Sequence, residues 1–444
     1  MRRLLLTLSV LCLLVAACAP STGGDESAAP GEDPAATEEE GGGASEAGTA
    51  SDLTGDLTVW SWRTEDVAGY EKIFETFTER HPGVTIDFVA HVNTEYNTIL
   101  STGLTEEGGP DVMQLRAYGG LQPFVESGNL LPLDDEVDVS AFSEEILEGA
   151  RGADGSLYGV PFAIQTMQVF YNADVFAEHG LEEPETWDDF IAINQTLADA
   201  GVIPMATTGA DAWMLPIVHD TIGATRYGGA EFAEAVLAGE TDFTDPDYVA
   251  SIELIDQVKD FFPPDVVGVG YTDAQVLFTT GQAAMFPGGS FETAFFREQA
   301  PDLDMGVFSV PPPPDAVSDT VLTPGWMDGS WGVNASSPDK EAALELVRWM
   351  ATEEYGQLFA DELGQLSAVP GVSPQDPLLA EMADGYEQNP APYLHLVHFR
   401  YGEPTGDSIL GEGIQQMLLG DADAAQVAEN VQRGVSQWFT PDGG

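Results

Sequence analysis

The chain has 444 residues, 43% of them hydrophobic, and carries 75 Asp and Glu against 14 Lys and Arg, a formal charge of −61 at pH 7. So negative a polymer repels phosphate backbones, which excludes nucleic acid as a partner. Its length exceeds the roughly 250 to 300 residues at which a single core stops growing, so two lobes are expected. The acid is spread along the whole chain, and Lys72, Lys259 and Lys340 are its only lysines. Such a surface suits a saline or alkaline medium, where the Debye length falls to about 3 Å at 1 M salt and self-repulsion is screened.

Arg2 and Arg3 precede an apolar run, Leu4 to Val15, that is too short to span a bilayer. Val15-Ala16-Ala17-Cys18 then supplies small residues for cleavage, so residues 1–18 read as a secretory signal peptide. The segment resembles a bacterial lipoprotein lipobox. That resemblance implies that Cys18 becomes the lipid-bearing N-terminus and tethers the protein to the extracellular face of the cell membrane. Cys12 falls in the removed segment, so no disulfide can form within one mature chain. Residues 19–52 are mostly Ala, Gly, Ser, Pro, Thr, Glu and Asp. They cannot offset their ordering entropy by burial, and read as a disordered acidic linker.

From Leu53 the pattern changes. Leu57 to Trp62 mixes apolar, β-branched and aromatic residues and predicts a buried strand. Tyr70, Ile73, Phe74 and Phe77 recur at helical spacing until His81-Pro82-Gly83. Val84 to Val89 and Asp111 to Leu115 predict a second and a third strand, and strand, helix, strand in that order implies βαβ units with a largely parallel sheet. Tyr158 to Phe162 and Val169 to Tyr171 predict two short strands. Thr186 and Asp189 form a capping box for a helix that Gly201 ends. Pro311 to Pro314 predicts a stiff crossover. Ser337, with Pro338 behind it, predicts a cap for a helix burying Ala343, Leu346, Val347 and Met350.

Several short motifs follow one another along this stretch. They are Phe77-Thr-Glu-Arg-His-Pro-Gly-Val, Gly109-Pro-Asp-Val-Met-Gln114, Asp154-Gly-Ser-Leu-Tyr-Gly-Val-Pro161, Val169-Phe-Tyr-Asn172, Thr186-Trp-Asp-Asp-Phe190, Gly281-Gln-Ala-Ala-Met285 with Gly289-Ser-Phe291, and Ser337-Pro-Asp-Lys-Glu-Ala-Ala343. In this order the chain resembles the extracellular solute-binding proteins of carbohydrate ABC importers, the maltodextrin-binding group. The resemblance implies an α/β, two-lobed, type II periplasmic-binding-protein-like fold, each lobe a mostly parallel sheet flanked by helices. It implies residues 53–165 and 311–362 in one lobe and 166–310 and 363–444 in the other. A sugar or oligosaccharide is then captured in the cleft by hinge closure and passed to the permease subunits by a monomer that needs neither metal nor cofactor. A polyol or glycerol phosphate is the alternative ligand, and a secreted glycoside-processing enzyme the alternative class.

A pyranose presents apolar C–H faces and a belt of hydroxyls, so its site needs flat rings and in-plane polar groups. In open α/β sheets such groups sit on loops beyond the carboxyl ends of strands. The loop after the first strand offers Trp62 and Glu65, and that after the third offers Gln114, Arg116 and Tyr118. Trp213 sits on a polar loop, and Gly325 to Trp331 reads as a glycine-loosened loop carrying Trp326, the favoured stacking ring, and Asp328. The resemblance adds Gln165 near the crossing between lobes, and Phe291 after Gly-Ser, where relatives more often carry Trp. Arg63, Arg116 and Arg400 are each placed either to meet ligand or to pair with the abundant carboxylates, and Arg400 joins the candidate list. Trp60 and Trp187 read as packing.

Enzymatic readings find little support in the residues. Cys18 is the only mature cysteine, and Asp328-Gly-Ser-Trp-Gly332 lacks the first glycine of the G-x-S-x-G elbow. His395 and His398 have no H-E-x-x-H context, and Asp242, Asp245 and Asp247 lack the glycine of an EF-hand loop.

Overall fold

A computed structural model describes residues 53–105 and 108–441; the leader, Cys18 and the acidic linker lie outside the described residues. β1 (Thr54–Ser61) lies parallel to β2 (Gly83–Ala90) and β3 (Val112–Arg116). The helix Val67–Arg80 joins the first two strands, burying Tyr70, Ile73, Phe74 and Phe77, and His81 caps its end as the sequence predicts. This is the expected βαβ start.

The next strand departs from expectation. Tyr158 to Phe162 and Val169 to Tyr171 were expected as two short strands, whereas β4 (Val160–Asn172) runs unbroken for 13 residues. Its sequence hides this because nearly every side chain is buried on both faces, which removes the alternation that marks a strand. Up to Thr166, β4 pairs with β8 (Thr323–Val333). From Met167 onward it pairs with β6 (Ala283–Gly289) and β7 (Met305–Phe308). One strand therefore passes from the first sheet into the second. β5 (Ile203–Met205) lies parallel to β6, and β9 (Pro390–Pro392) parallel to β8.

The neighbour order is β2-β1-β3-β8-β4-β6-β5, with β7 on β4 and β9 on β8. The two-lobed α/β architecture is present, with sheets that are mixed rather than mostly parallel. β8 is antiparallel to β3 and to β4, running back along β4 into the first sheet, and β4 is antiparallel to β6 and β7. One core cluster surrounds β1, β3 and β8 with Leu57, Val112, Phe162 and Trp331 and continues to Phe286 and Phe296. A second joins Val169 and Met205 to the helices Leu215–Tyr227, Pro246–Val258, Gly406–Leu419 and Ala424–Val435 through Val218, Ile255, Ile414 and Val431.

Thr186 and Asp189 make both halves of the capping box. Ser337 does not cap. The helix starts at Lys340, and the Ser337 hydroxyl instead donates to Asp111 at 2.6 Å and accepts from the Asp339 N–H at 3.1 Å. Ala343, Leu346, Val347 and Met350 are buried as expected. Pro311 to Pro314 forms part of the irregular link between β7 and β8.

The expected loop from Gly325 to Trp331 is the middle of β8. Its glycines answer close approach rather than flexibility: a Cβ on Gly329 would lie 2.7 Å from the Leu115 carbonyl and 2.6 Å from the Trp62 ring. Pairing with β4 skips Asp328 between Met327 and Gly329, a bulge of the kind that re-aims a side chain.

Candidate functional site

Loops beyond the carboxyl ends of β1, β2 and β3 bring Trp62, Arg63 and Glu65, then Asn93, Thr94 and Asn97, then Arg116 and Ala117, to a cavity of about 430 Å³. From the second sheet come Trp213, ahead of the helix Leu215–Tyr227, and Phe291, just past β6. Tyr271 opens the helix Tyr271–Thr279, while β8 contributes Trp326 and Asp328. Tyr393, Leu396, Arg400 and Asp407 complete the lining. Both sheets thus deliver strand-end loops to one volume, which falls in the usual range of small-molecule sites.

Eight of the expected site residues line this cavity: Trp62, Glu65, Arg116, Trp213, Phe291, Trp326, Asp328 and Arg400. Three stand elsewhere. Gln114 is fully buried and accepts from the Ser61 hydroxyl at 2.7 Å while its amide donates to Tyr70 at 2.8 Å, so it fixes the start of the Trp62 loop. Gln165 accepts from Ser290 at 2.7 Å and donates to Asp328 at 3.4 Å. Tyr118 lines a separate groove with Tyr401 and Trp438, and its hydroxyl accepts from the Met327 N–H at 3.3 Å.

The indoles differ in what they present. Trp62 is 3% exposed, packs against Tyr96 and Phe162, and carries the Arg116 guanidinium 3.9 Å above its ring. One face is therefore occupied by a cation–π contact. Trp326 is 6% exposed, with Tyr393 at 5.2 Å and Phe291 at 6.4 Å between centroids. Trp213 is 44% exposed and set edge-on to Tyr271 at 5.0 Å, which makes it the most open indole of the lining. Trp60 meets His91 edge-on, Trp187 packs on Phe190, and the buried Trp331 donates to Tyr355 at 2.7 Å, so all three serve packing.

The polar groups are held from behind. Arg63 pairs with Asp66 and Glu65, and Gln365 donates to Asp66 at 2.8 Å. Tyr271 donates to Glu292 at 2.6 Å, and Gln275 donates to the other carboxyl oxygen at 2.8 Å. Burial pushes the Glu292 carboxyl up to about 7, although both hydrogen bonds oppose the rise. Asp407 Oδ1 is shielded from water and receives no hydrogen bond from the described residues.

Tyr271, Tyr393, Asn93, Asn97 and Asp407 were not among the expected residues. A consistent use of the strand-end rule would have found Asn93 to Asn97, since they follow β2. Tyr393 and Asp407 come from far along the chain and carry no local signal.

The remaining polar clusters are structural. His219 lies between Asp220 at 2.9 Å and Ser251 at 2.8 Å, with the residue types of a hydrolytic triad, yet all three are fully buried. The Ser251 hydroxyl donates to the Tyr248 carbonyl at 2.6 Å, and Asp220 accepts from the Leu394 N–H at 3.1 Å. His395 meets Tyr248 at 2.6 Å, and burial pushes its imidazole down to about 3. Asp245 caps the helix Pro246–Val258 and Asp247 pairs with Arg226. Among the described residues no helix is long and apolar enough to cross a membrane, and no three His, Cys, Asp or Glu are grouped to hold a metal.

A strand shared between two sheets and a cleft fed by both set the frame of the site. The profile of the bacterial extracellular solute-binding protein family matches residues 60–357. The chain belongs to this family. It is a solute-binding protein and not an enzyme. The multiple sugar-binding protein of Streptococcus mutans is 24% identical over 350 residues, 75% of this chain and 81% of its own. The mannitol-binding protein of Pseudomonas aeruginosa is 24% identical over 334 residues, 71% and 73% of the two chains. The solute-binding protein RafE, solved in complex with raffinose, superposes with a TM-score of 0.72 at 24% identity, over 86% of this chain and 99% of that one.

Proposed function

We propose that this solute-binding protein captures a sugar or oligosaccharide in the cleft and delivers it to the permease subunits of an ABC transporter. The observation that carries the reading is the cavity itself, which the exposed ring of Trp213 lines together with Asn93, Asn97, Asp328 and Asp407. Rings cover the apolar faces of a pyranose, and carboxylates and amides read its hydroxyls. Asp407 Oδ1, buried and without a donor among the described residues, suits a hydroxyl brought by the ligand. The names of the sugar-binding and raffinose-bound relatives support the same class.

In this reading residues 53–165 with 311–362 close against residues 166–310 with 363–444, and the change of partners along β4 marks the hinge. Ligand stabilises the closed form by bridging both lobes. Cys18 holds the protein by lipid at the extracellular face of the membrane, with the acidic linker as tether.

A polyol is the second reading, favoured by the mannitol-binding relative. Trp213→Ala separates the two. It should weaken binding of a cyclic sugar by about 1 to 3 kcal/mol, by analogy with ring-stacking sites, because a flat C–H face loses its platform. An open-chain polyol has no such face and should lose less. The measurement is a fluorescence or calorimetric titration of parent and variant. Unchanged sugar affinity in a folded Trp213→Ala protein would remove the stacking role.

A further inference from the structure

Of the nine described arginines, six lie within 4.0 Å of a carboxylate: Arg63, Arg80, Arg151, Arg226, Arg297 and Arg348. Arg433 is exposed and bonds the Asn430 side chain. The other two, Arg116 and Arg400, both line the cleft, both are half-buried, and neither has a carboxylate within that distance among the described residues. In a chain with 75 Asp and Glu, any guanidinium left without a carboxylate is notable, and two at one cavity are more so.

Their positions are built. Arg116 lies over the Trp62 ring and donates to the Asn93 side-chain oxygen, which fixes its plane and leaves part of its donor fork free. Arg400 is seated by Gly119, where a Cβ would overlap the Arg400 carbonyl, and its guanidinium makes no hydrogen bond among the described residues. The two charges feel each other: Arg116 is lowered to about 10, mostly by burial and in part by the Arg400 charge, with Asp328 opposing the fall. A half-buried cation that is neither paired nor fully hydrated carries a desolvation cost, which an incoming anion relieves.

We infer that the ligand of this cleft is an acidic sugar, its carboxylate or phosphate taken by Arg116 and Arg400 while Asp328 and Asp407 accept hydroxyls. The inference rests on the sugar-binding reading above and narrows it. A neutral sugar would leave both guanidinium forks without the acceptor geometry they offer.

The test is calorimetry on the full chain with glucuronic and galacturonic acids, their short oligomers and hexose phosphates, each against its neutral counterpart. An acidic sugar should bind at least about tenfold more tightly than its neutral counterpart, the scale of one charge-assisted contact. Arg400→Gln and, separately, Arg116→Gln should bring that ratio to within about threefold, with circular dichroism reporting the fold. A preference confined to the uronic acids assigns a carboxylate ligand, and one confined to the phosphates assigns a phosphoryl ligand. Equal or tighter binding of the neutral sugars would overturn the inference and leave the sugar reading intact. A preference for acids that survives in folded Arg400→Gln and Arg116→Gln proteins would overturn the assignment to this pair. No binding in either series would defeat the sugar reading and the inference together.

Discussion

Glu292 is fully buried, receives hydrogen bonds from the cleft residue Tyr271 and from Gln275, and is held protonated by burial up to a pH of about 7. The folded state therefore keeps a proton that the unfolded chain releases near its ordinary value of 4.5. The stability this gives is complete below pH 4.5, falls as pH rises, and is gone above about 7. The difference amounts to about 3 kcal/mol at one and a third kcal/mol per pH unit. Denaturant unfolding from pH 4.5 to 8 should show the parent losing more stability than Glu292→Gln over that window. Parallel pH profiles would contradict the buried-acid account. The residue list itself was partly legible. Trp213 and Asp328 could be found because aromatic and acidic residues beside glycine and loop signals stand out. Gln114, near the end of β3, and Gln165, in the middle of β4, are polar residues of the same kind, yet only three-dimensional packing shows that they support cleft residues without lining the cavity.

Secondary elements repeat this contrast. The helix Val67–Arg80 was legible because one face is buried and one wet, so its period shows. β4 and β8 were not, because both are buried on two faces and interrupted by residues that look like loop formers, Gly325, Gly329 and Gly332 in β8 among them. Gly329 sits where β8 passes the Leu115 carbonyl and the Trp62 ring. Backbone cannot yield as a flexible side chain can, so Gly329→Ala should destabilise by about 1 to 3 kcal/mol and weaken ligand binding by displacing Trp62 and the Arg116 above it. Unfolding and titration of this variant give both readings. A variant as stable as the parent with unaltered affinity would mean that the close approach is relaxed in solution.

At the scale of the molecule, the carboxylates are spread along the whole chain, whereas three of the few arginines, Arg63, Arg116 and Arg400, gather at one cavity, together with Glu65, Asp328 and Asp407. The two-lobed fold was legible only through resemblance: no single motif marks it, and it is the order of Gly109–Gln114, Asp154–Pro161, Gly281–Met285 and the rest that resembles the solute-binding family and implies two lobes. The crossing of β4 between sheets was not, being a property of pairing rather than of any residue. For the anchor, Cys18→Ser should release the protein from the membrane fraction of a lipoprotein-competent host, and unchanged membrane retention would exclude lipidation at that residue. The account stands most directly on calorimetric titration of the full chain with neutral and acidic sugars, with the mixtures analysed afterwards for products. It predicts saturable binding at one site per chain, a negative heat-capacity change from closing the cleft, and ligand recovered intact. No sugar binding, or conversion of the sugar to products, would contradict it.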